Sequence, residues 1–423
     1  MLLLFGAMLG LLLLGVPVFA ATGIAALIYI SLYGLPVLVV VQQLFDSVDK
    51  FPLLAVPFFI LAGNLMNRAG VTDRLYAFAS HAIGHLHGGL GHVNIFGSFI
   101  FSGMSGTAMA DAAGLGTIEL KAMKNEGYDD EFAVGITAAS ATLGPIIPPS
   151  LPMILYGVTT GTSIGALFIA GIVPGILMAI VLHGYVALAA KARGYPRSTR
   201  ATWRQFLHSF LRSIPVLMAP GIILGGIILG VFTPTEAAVV AAVYTLLVGF
   251  LLFRTLTVVH FIKELRSAFE TTAIVMAMTG GAILFGWVLV RENFASQFVT
   301  FMLSFASEPW QCMLTLNIAM LICGMFMDPL PILLIFSPLV MPVLDSFGID
   351  KVQFGVVMVL NLMIGMMTPP IGGICFVLAR LSGLPLARVF RACMPLYLPL
   401  FIVLLLISMI PALTLALPNL LLK

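Results

Sequence analysis

Long apolar runs separated by short polar interruptions dominate this chain. Residues 214–232 and 237–253 contain no charged side chain. Each run approaches the ~20 residues that a helix needs to cross the hydrocarbon core of a bilayer. The pattern predicts an all-α polytopic membrane protein.

The composition supports this prediction. The 423 residues are 61% hydrophobic and 9% charged, whereas a soluble domain has roughly 25% charged residues. A larger soluble core cannot absorb that difference, because its surface must still be wetted. Most of the surface is therefore expected to face a lipid bilayer. The net charge of +3 is small and dispersed, which excludes a nucleic acid as the partner.

Charge also predicts the orientation of the chain. The densest basic segment, residues 191–212, contains no acidic side chain and should stay in the cytoplasm by the positive-inside rule. Residues 1–21 resemble a signal peptide but lack a basic start, so we expect them to form the first membrane helix. With the connector inside, both termini are expected on the opposite, periplasmic side.

The two halves of the chain, residues 1–190 and 213–423, share an order of features. The first contains FSGMSGT at 101–107 and then GPIIPPS at 144–150, and the second contains GMFMDP at 324–329 and then GMMTPPIGG at 365–373. Each half thus has a polar, glycine-rich break followed by a Pro-Pro break. Paired interruptions of this kind mark the binding site of transporters built from inverted repeats. We predict two such repeats, joined by the connector 191–212.

The interruptions also predict local structure. Lipid cannot satisfy the backbone groups that a break exposes, so we expect re-entrant hairpins near 95–125 and 315–345. Proline removes an amide donor and frees carbonyl groups, which predicts broken helices near 144–150 and 365–373. Hydroxyl and carbonyl oxygens at these places are suitable ligands for an alkali cation. Small-residue packing between helices and simple proline kinks are the alternatives.

Several charged or polar side chains are candidates for binding. Asp328 at membrane depth would cost at least ~2.5 kcal/mol, which a cation would offset; the alternative is a helix cap before Pro329. A guanidinium binds carboxylates well, so Arg291 is a candidate anchor for an organic acid, or else an ion-pair partner of Glu292. Asp111 and Ser163 are further substrate candidates, although loop polarity also explains Ser163.

Two other groups of residues have structural explanations. Thr233, Pro234 and Glu236 have the form of a capping box at the start of a helix. His81 and His85 have a spacing that could suit a metal, but glycines surround them and no cysteine accompanies them. We expect an amphipathic interfacial helix in this segment.

Five motifs, taken together, resemble the large membrane (M) subunit of tripartite ATP-independent periplasmic (TRAP) transporters. The similarity spans essentially the whole chain and is carried by PFFILAGNLM at 57–66, FSGMSGTAMAD at 101–111, GPIIPPS at 144–150, FTPTEAA at 232–238 and MTPPIGG at 367–373.

The resemblance implies an elevator-type carrier with a scaffold and a transport domain in the bacterial inner membrane. It implies sodium-driven uptake of an organic acid that a soluble periplasmic substrate-binding protein delivers, and a separate small four-helix membrane subunit. It further implies two or more Na⁺ sites. The first would use Ser102, Ser105, Gly144, Ile147 and Pro149, and the second Gly324, Asp328, Gly365 and Thr368.

Three other functions compete with this interpretation. A stand-alone sodium/dicarboxylate symporter would have similar hairpins but would need no binding protein. An intramembrane enzyme is disfavoured, because the apolar segments contain neither an HExxH motif nor a Ser/His/Asp set. A channel is the third. The sequence leaves C4-dicarboxylates, sialic acid and other sugar acids open as the solute.

Overall fold

The computed structural model describes residues 1–422, and the regular structure in that part of the chain is helical, with no strand. Eight helices within residues 1–422 are long and apolar enough to cross a membrane. The helix content and the number of long apolar helices therefore confirm the prediction of an all-α, multi-pass membrane protein. The other helices are shorter, and many of them adjoin breaks in the chain.

Within the described residues, eleven α-helices precede the connector: α1 (Leu2–Leu13), α2 (Val18–Leu32), α3 (Leu38–Val48), α4 (Ala55–Arg68), α5 (Val71–Ile83), α6 (Gly89–Ser105), α7 (Ala108–Ala113), α8 (Leu115–Asn125), α9 (Asp130–Ala141), α10 (Leu151–Thr160) and α11 (Ile164–Arg193). Ten follow it: α12 (Trp203–Ile228), α13 (Pro234–Leu247), α14 (Val258–Arg291), α15 (Phe294–Phe305), α16 (Pro309–Phe326), α17 (Pro329–Phe347), α18 (Lys351–Gly365), α19 (Gly373–Ser382), α20 (Leu386–Met409) and α21 (Ala412–Leu421). A 3₁₀ turn, Phe51–Leu54, leads into α4, and a π-helical stretch, Val248–Leu252, extends α13.

The apolar N-terminus forms two short helices, so the prediction of a single membrane helix over residues 1–21 is wrong. The chain turns after α1 at Gly15, which has a left-handed φ of 80°, and Pro17 then precedes α2. Proline lacks the amide donor that a continuous helix would need. Both helices pack on α14, where the ring of Phe5 meets that of Phe285 edge to face at 5.7 Å.

The basic connector is short because local signals end one helix and begin the next. Gly194, with a φ of 67°, ends α11 in a left-handed conformation that glycine adopts without steric cost. Thr202 then opens α12 in a capping box: its hydroxyl accepts a hydrogen bond from the amide of Gln205 at 3.3 Å, and the Gln205 side chain accepts one from the Thr202 amide at 2.8 Å. The predicted segment 191–212 thus consists largely of two helix ends.

Helix α11 defines the two ends of the molecule. Its 30 residues span about 45 Å. At its start, Ser163 lies with Thr233 and Leu422 around a cavity of about 700 Å³. Thr233 opens α13 in the capping box with Glu236 that the sequence predicts. We call this end the start face of α11 and the opposite end, at Arg193, the connector face.

The two helical hairpins have their bases at different ends of α11. After the hairpin α6–α8, Asp129 pairs with Arg193 of the connector face at 3.2 Å. The Tyr128 hydroxyl also donates to the carbonyl of Pro196 at 3.4 Å. After the hairpin α16–α17, by contrast, the carbonyl of Lys351 accepts a hydrogen bond from the hydroxyl of Tyr156 at 2.8 Å. Tyr156 lies on α10, the helix that precedes the start face.

The histidine-containing segment contains the predicted amphipathic helix, α5. It buries Val71, Leu75 and Phe78 at helical spacing. Within residues 1–422, no group of three or more His, Cys, Asp or Glu side chains converges to hold a metal ion. His92 instead stacks on His183 of α11, with ring centroids 5.0 Å apart.

The arrangement of the connector and the C-terminal helix generates a labelling prediction. In a variant whose native cysteines are replaced by serine, Leu420→Cys should react with a membrane-impermeant maleimide on intact cells. Arg200→Cys should react only after the cells are permeabilised, because basic loops stay in the cytoplasm. Both positions are exposed in the fold. Labelling of both from the same side would contradict the arrangement.

Candidate functional site

One cavity of about 270 Å³ lies where the two hairpin tips and the two proline breaks converge. Thr107 comes from the first tip and Asp328 from the second. Pro145 comes from the first break and Met366 from the second, while Thr271 of α14 closes one side. Segments far apart in sequence therefore meet around a single space, which we call the tip cavity.

The first tip packs directly on the first proline break. Gly106 ends α6 with a left-handed φ of 61°. A Cβ atom at Gly106 would lie 2.5 Å from the carbonyl oxygen of Pro149, a distance that only a glycine tolerates. The carbonyl of Gly106 accepts a hydrogen bond from the amide of Leu151 at 3.4 Å. The contact is thus one of backbone against backbone.

Oxygen atoms are concentrated at this contact. The Ser105 hydroxyl is buried and has no hydrogen-bond partner within residues 1–422. Ser102 is fully buried and donates to a carbonyl of its own helix at 2.6 Å. A Cβ at Gly144 would lie 3.0 Å from the carbonyl oxygen of Thr107. Hydroxyl and carbonyl oxygens are hard donors, the type that a hard cation takes as ligands.

The residues predicted to form the first cation site do not all face the contact between tip and break. Ser102, Ser105, Gly144 and Pro149 all belong to the segments that form the contact between tip and break. The side chain of Ile147 points away from the tip, toward α11, where it packs on Gly175. Any contribution of Ile147 would therefore come from its carbonyl.

The second break forms a similar backbone contact. A Cβ at Gly365 would lie 2.8 Å from the backbone of Gly324 on α16. The amide of Ile371 donates to the carbonyl of Met325 at 3.2 Å, so the break is tied to the end of α16. Thr368 lies within the break and donates to the carbonyl of the residue four positions earlier at 2.7 Å. The peptide bonds Pro148-Pro149 and Pro369-Pro370 are both cis.

Asp328 lies on the wall of the tip cavity rather than inside the glycine contact. It is exposed, and its carboxylate caps α17 by accepting a hydrogen bond from the amide of Leu330 at 3.2 Å. The helix cap that the sequence allowed as an alternative is therefore present. The second carboxylate oxygen stays free of this bond, and a role in cation binding stays a prediction.

The three substrate candidates lie outside the tip cavity. Arg291 is exposed at the end of α14, with its guanidinium 5.7 Å from the ring centroid of Trp287. It forms no ion pair within residues 1–422, so the pairing with Glu292 that the sequence allowed is not observed. Ser163 lies at the start face of α11, and Asp111 is 1% exposed inside the first hairpin. Their roles in substrate binding stay predictions.

Thr271 is a lining residue that the sequence analysis missed. Its hydroxyl donates to the carbonyl of Ser267 at 3.0 Å, and Thr272 bonds its own helix in the same way. A threonine satisfied by the preceding turn is ordinary in an apolar helix. The pair of threonines was visible in the sequence, but nothing local indicated which of them faces a cavity.

A sequence model of the family described as "Tripartite ATP-independent periplasmic transporter, DctM component" matches residues 5–413. The chain belongs to this TRAP transporter family. The sialic acid TRAP transporter large permease protein SiaM of Vibrio cholerae is 44% identical over 413 residues, which cover 97% of each chain. The C4-dicarboxylate TRAP transporter large permease protein DctM of Pseudomonas aeruginosa is 38% identical over 377 residues, covering 89% of this chain and 88% of the relative.

One further relative is longer than this chain, and one solved structure has a similar fold. The sialic acid TRAP transporter permease protein SiaT of Haemophilus influenzae is 42% identical over 96% of this chain and 66% of its own length. The YdaH transporter of Alcanivorax borkumensis has a TM-score of 0.65 over 86% of each chain at 14% identity, which shows a likeness of fold alone. The predicted TRAP resemblance and the prediction of a transporter subunit rather than an enzyme are confirmed by the family.

The close contact between Gly324 and Gly365 should contribute to the thermal stability of the protein. Gly365→Ala should lower the thermal stability of the purified protein, because the added methyl group meets backbone that cannot give way. Overpacking of this kind costs ~1–3 kcal/mol. Gly221→Ala is the matched control, since a Cβ there meets nothing within 4 Å. Equal melting temperatures for the two variants in detergent would show that the glycine contact contributes nothing.

Proposed function

We propose that this chain is the permease subunit of a sodium-coupled secondary transporter that imports an organic acid. The observation that carries the proposal is the tip cavity, which lies beside two close backbone contacts, Gly106 on Pro149 and Gly365 on Gly324. Discontinuous helices around a site of this kind are typical of secondary transporters.

Two sodium ions would bind at the contacts between tip and break. At the first, the unpartnered hydroxyl of Ser105 supports a ligand that the protein itself does not supply. At the second, Gly365 and Thr368 offer carbonyl and hydroxyl oxygens beside Gly324. A cation near Asp328 would offset the cost of a carboxylate at membrane depth. Sodium would thereby favour the assembled cavity over an opened one.

The two halves, residues 1–190 and 213–423, would form inverted repeats. The hairpin bases support this: one contacts the connector face of α11 and the other contacts α10, next to the start face. The hairpins and broken helices would then form a transport domain that moves as a rigid body against a scaffold, in an elevator mechanism. The residues of the connector, 191–212, would join the repeats in the cytoplasm.

The substrate would be an organic acid, as the names of the relatives suggest. SiaM is named for sialic acid and DctM for C4-dicarboxylates. The hydroxyls of Thr107 and Thr271 line the tip cavity beside the apolar side chains of Met363 and Met366. A carboxylate could accept a hydrogen bond from the Thr107 hydroxyl, and one from Thr271 after that hydroxyl turns away from the carbonyl of Ser267. Arg291 would require movement of its helix end to reach the carboxylate.

The transporter would work in the bacterial inner membrane with two partners. These are a small four-helix membrane subunit and a soluble periplasmic binding protein, and both termini of this chain would be periplasmic. Uptake that persists in proteoliposomes without the binding protein would instead favour the stand-alone sodium/dicarboxylate-type symporter.

Asp328→Asn should abolish the sodium dependence of uptake. Asparagine can still cap α17 but carries no charge, so the change separates the cap from the cation role. The measurement is initial uptake in proteoliposomes containing all three components, as a function of sodium concentration. Asp345→Asn is the control, since Asp345 is an exposed ion-pair partner of Lys351 at the far end of α17. Wild-type sodium dependence in Asp328→Asn would refute the assignment.

Thr271→Val should raise the KM of uptake about fivefold with little change in protein stability. Removing one hydrogen bond to the substrate costs ~1 kcal/mol, and valine keeps the shape of threonine. Thr272→Val provides the comparison, because both hydroxyls bond the preceding turn of α14 but Thr272 does not line the tip cavity. An equal KM in both variants would remove Thr271 from the substrate site.

A further inference from the structure

Two acidic side chains are buried inside the first hairpin without partners. Asp111 lies on α7 and Glu119 on α8, and each is 1% exposed. All four carboxyl oxygens lack a hydrogen-bond partner within residues 1–422. An ionised carboxylate in such surroundings costs far more than a lost hydrogen bond, so the group must be neutralised.

The packing around the pair is tight. A Cβ at Gly97 of α6 would lie 3.2 Å from Oε1 of Glu119. On the other side of α8, a Cβ at Gly116 would come 2.8 Å from the side chain of Thr137. A hydrated cation between Glu119 and α6 would need more space than a methyl group, whereas a proton needs none.

The neighbouring elements supply no positive charge to the pair. Ser98 of α6 lies beside Asp111 without completing a hydrogen bond of normal geometry, and Tyr76 of α5 lies in the neighbourhood of Glu119 without a hydrogen bond to it. The remaining polar neighbours are uncharged, namely Asn67 of α4, near Gly114, and Thr137 of α9.

The other titratable groups on the packed elements form no hydrogen bond or ion pair with either carboxyl: Asp73, Arg74 and His81 on α5, His92 on α6, Lys121 and Lys124 on α8, Asp130 and Glu131 on α9, and Cys375 and Arg380 on α19. Several of them have partners elsewhere. Arg74 stacks on the ring of Phe253, and Glu131 pairs with Arg388. Within residues 1–422, no ion pair or hydrogen bond therefore compensates a charge on either carboxyl.

We propose that Asp111 and Glu119 form a proton-binding site inside the first hairpin, in which each carboxyl holds its own proton. A single shared proton would require a hydrogen bond between the two carboxyls, and neither has a partner. The protons come from water and bind before the hairpin packs. The site is separate from the cation contacts at the tip, and the inference does not rest on the proposed transport function.

The site would make the first hairpin responsive to pH. Asp111 is one helical turn from Thr107, which caps α7 and lines the tip cavity. Loss of the protons places two uncompensated charges in the packed hairpin. Because the folded hairpin holds protons that an opened one releases, its stability falls as the pH rises.

Infrared difference spectroscopy of the purified protein tests the proposal directly. At neutral pH the wild-type protein should show carbonyl absorption of protonated carboxylic acids, and Asp111→Asn and Glu119→Gln should each remove one component of it. Glu126→Gln is the control, because Glu126 is exposed at the end of α8. An unchanged band in both variants would overturn the proposal, and so would carboxylate absorption from both groups at neutral pH.

Thermal unfolding as a function of pH gives a second readout. The wild-type protein and Glu126→Gln should lose stability as the pH rises above neutral. The double variant Asp111→Asn, Glu119→Gln should lose less, because its amides cannot ionise. Equal pH dependence in all three proteins would contradict the proposal. Failure of the double variant to fold would also contradict it, since Asn and Gln reproduce the shape of the neutral acids.

Discussion

A helix that breaks inside a bilayer must have its backbone groups satisfied by the protein, because lipid offers no hydrogen bonds. The fold meets this constraint by packing each break against another break. Gly106 rests on the carbonyl of Pro149, and Gly365 rests on the backbone of Gly324. Neither contact admits a side chain. The four segments are therefore held at fixed places relative to one another, and the tip cavity lies where they meet.

The same constraint gives the cavity its chemical character. Where a helix is interrupted, carbonyl groups are left without helical hydrogen bonds. The adjacent serine and threonine residues add hydroxyls. The result is a cavity with hydroxyl and carboxylate oxygens on its wall, among them the exposed carboxylate of Asp328, in otherwise apolar surroundings. Such a site suits a cation and a small anionic solute better than it suits chemistry on the solute, as expected for a member of a transporter family.

The acidic side chains of the hairpins differ in their surroundings. Asp328 caps a helix and faces the cavity, where water or a cation can reach it. Asp111 and Glu119 lie among packed helices with no such access. The sequence does not distinguish these carboxyl groups, since each lies within one of the two predicted hairpin segments, 95–125 and 315–345. Only the packing distinguishes a carboxylate that solvent can reach from two carboxyls that it cannot reach.

The sequence by itself determined the features that depend on residues close together in the chain. Hydrophobic runs set the helical membrane class, and the Thr233 capping box formed as expected, because these signals act within one or two turns. Tertiary structure alone decided which side chains face each other. Arg291 has the right chemistry for a carboxylate but lies on the exterior, whereas Thr271 gave no local signal and lines the cavity. Helix packing sets these positions, and packing depends on contacts between residues far apart in the chain.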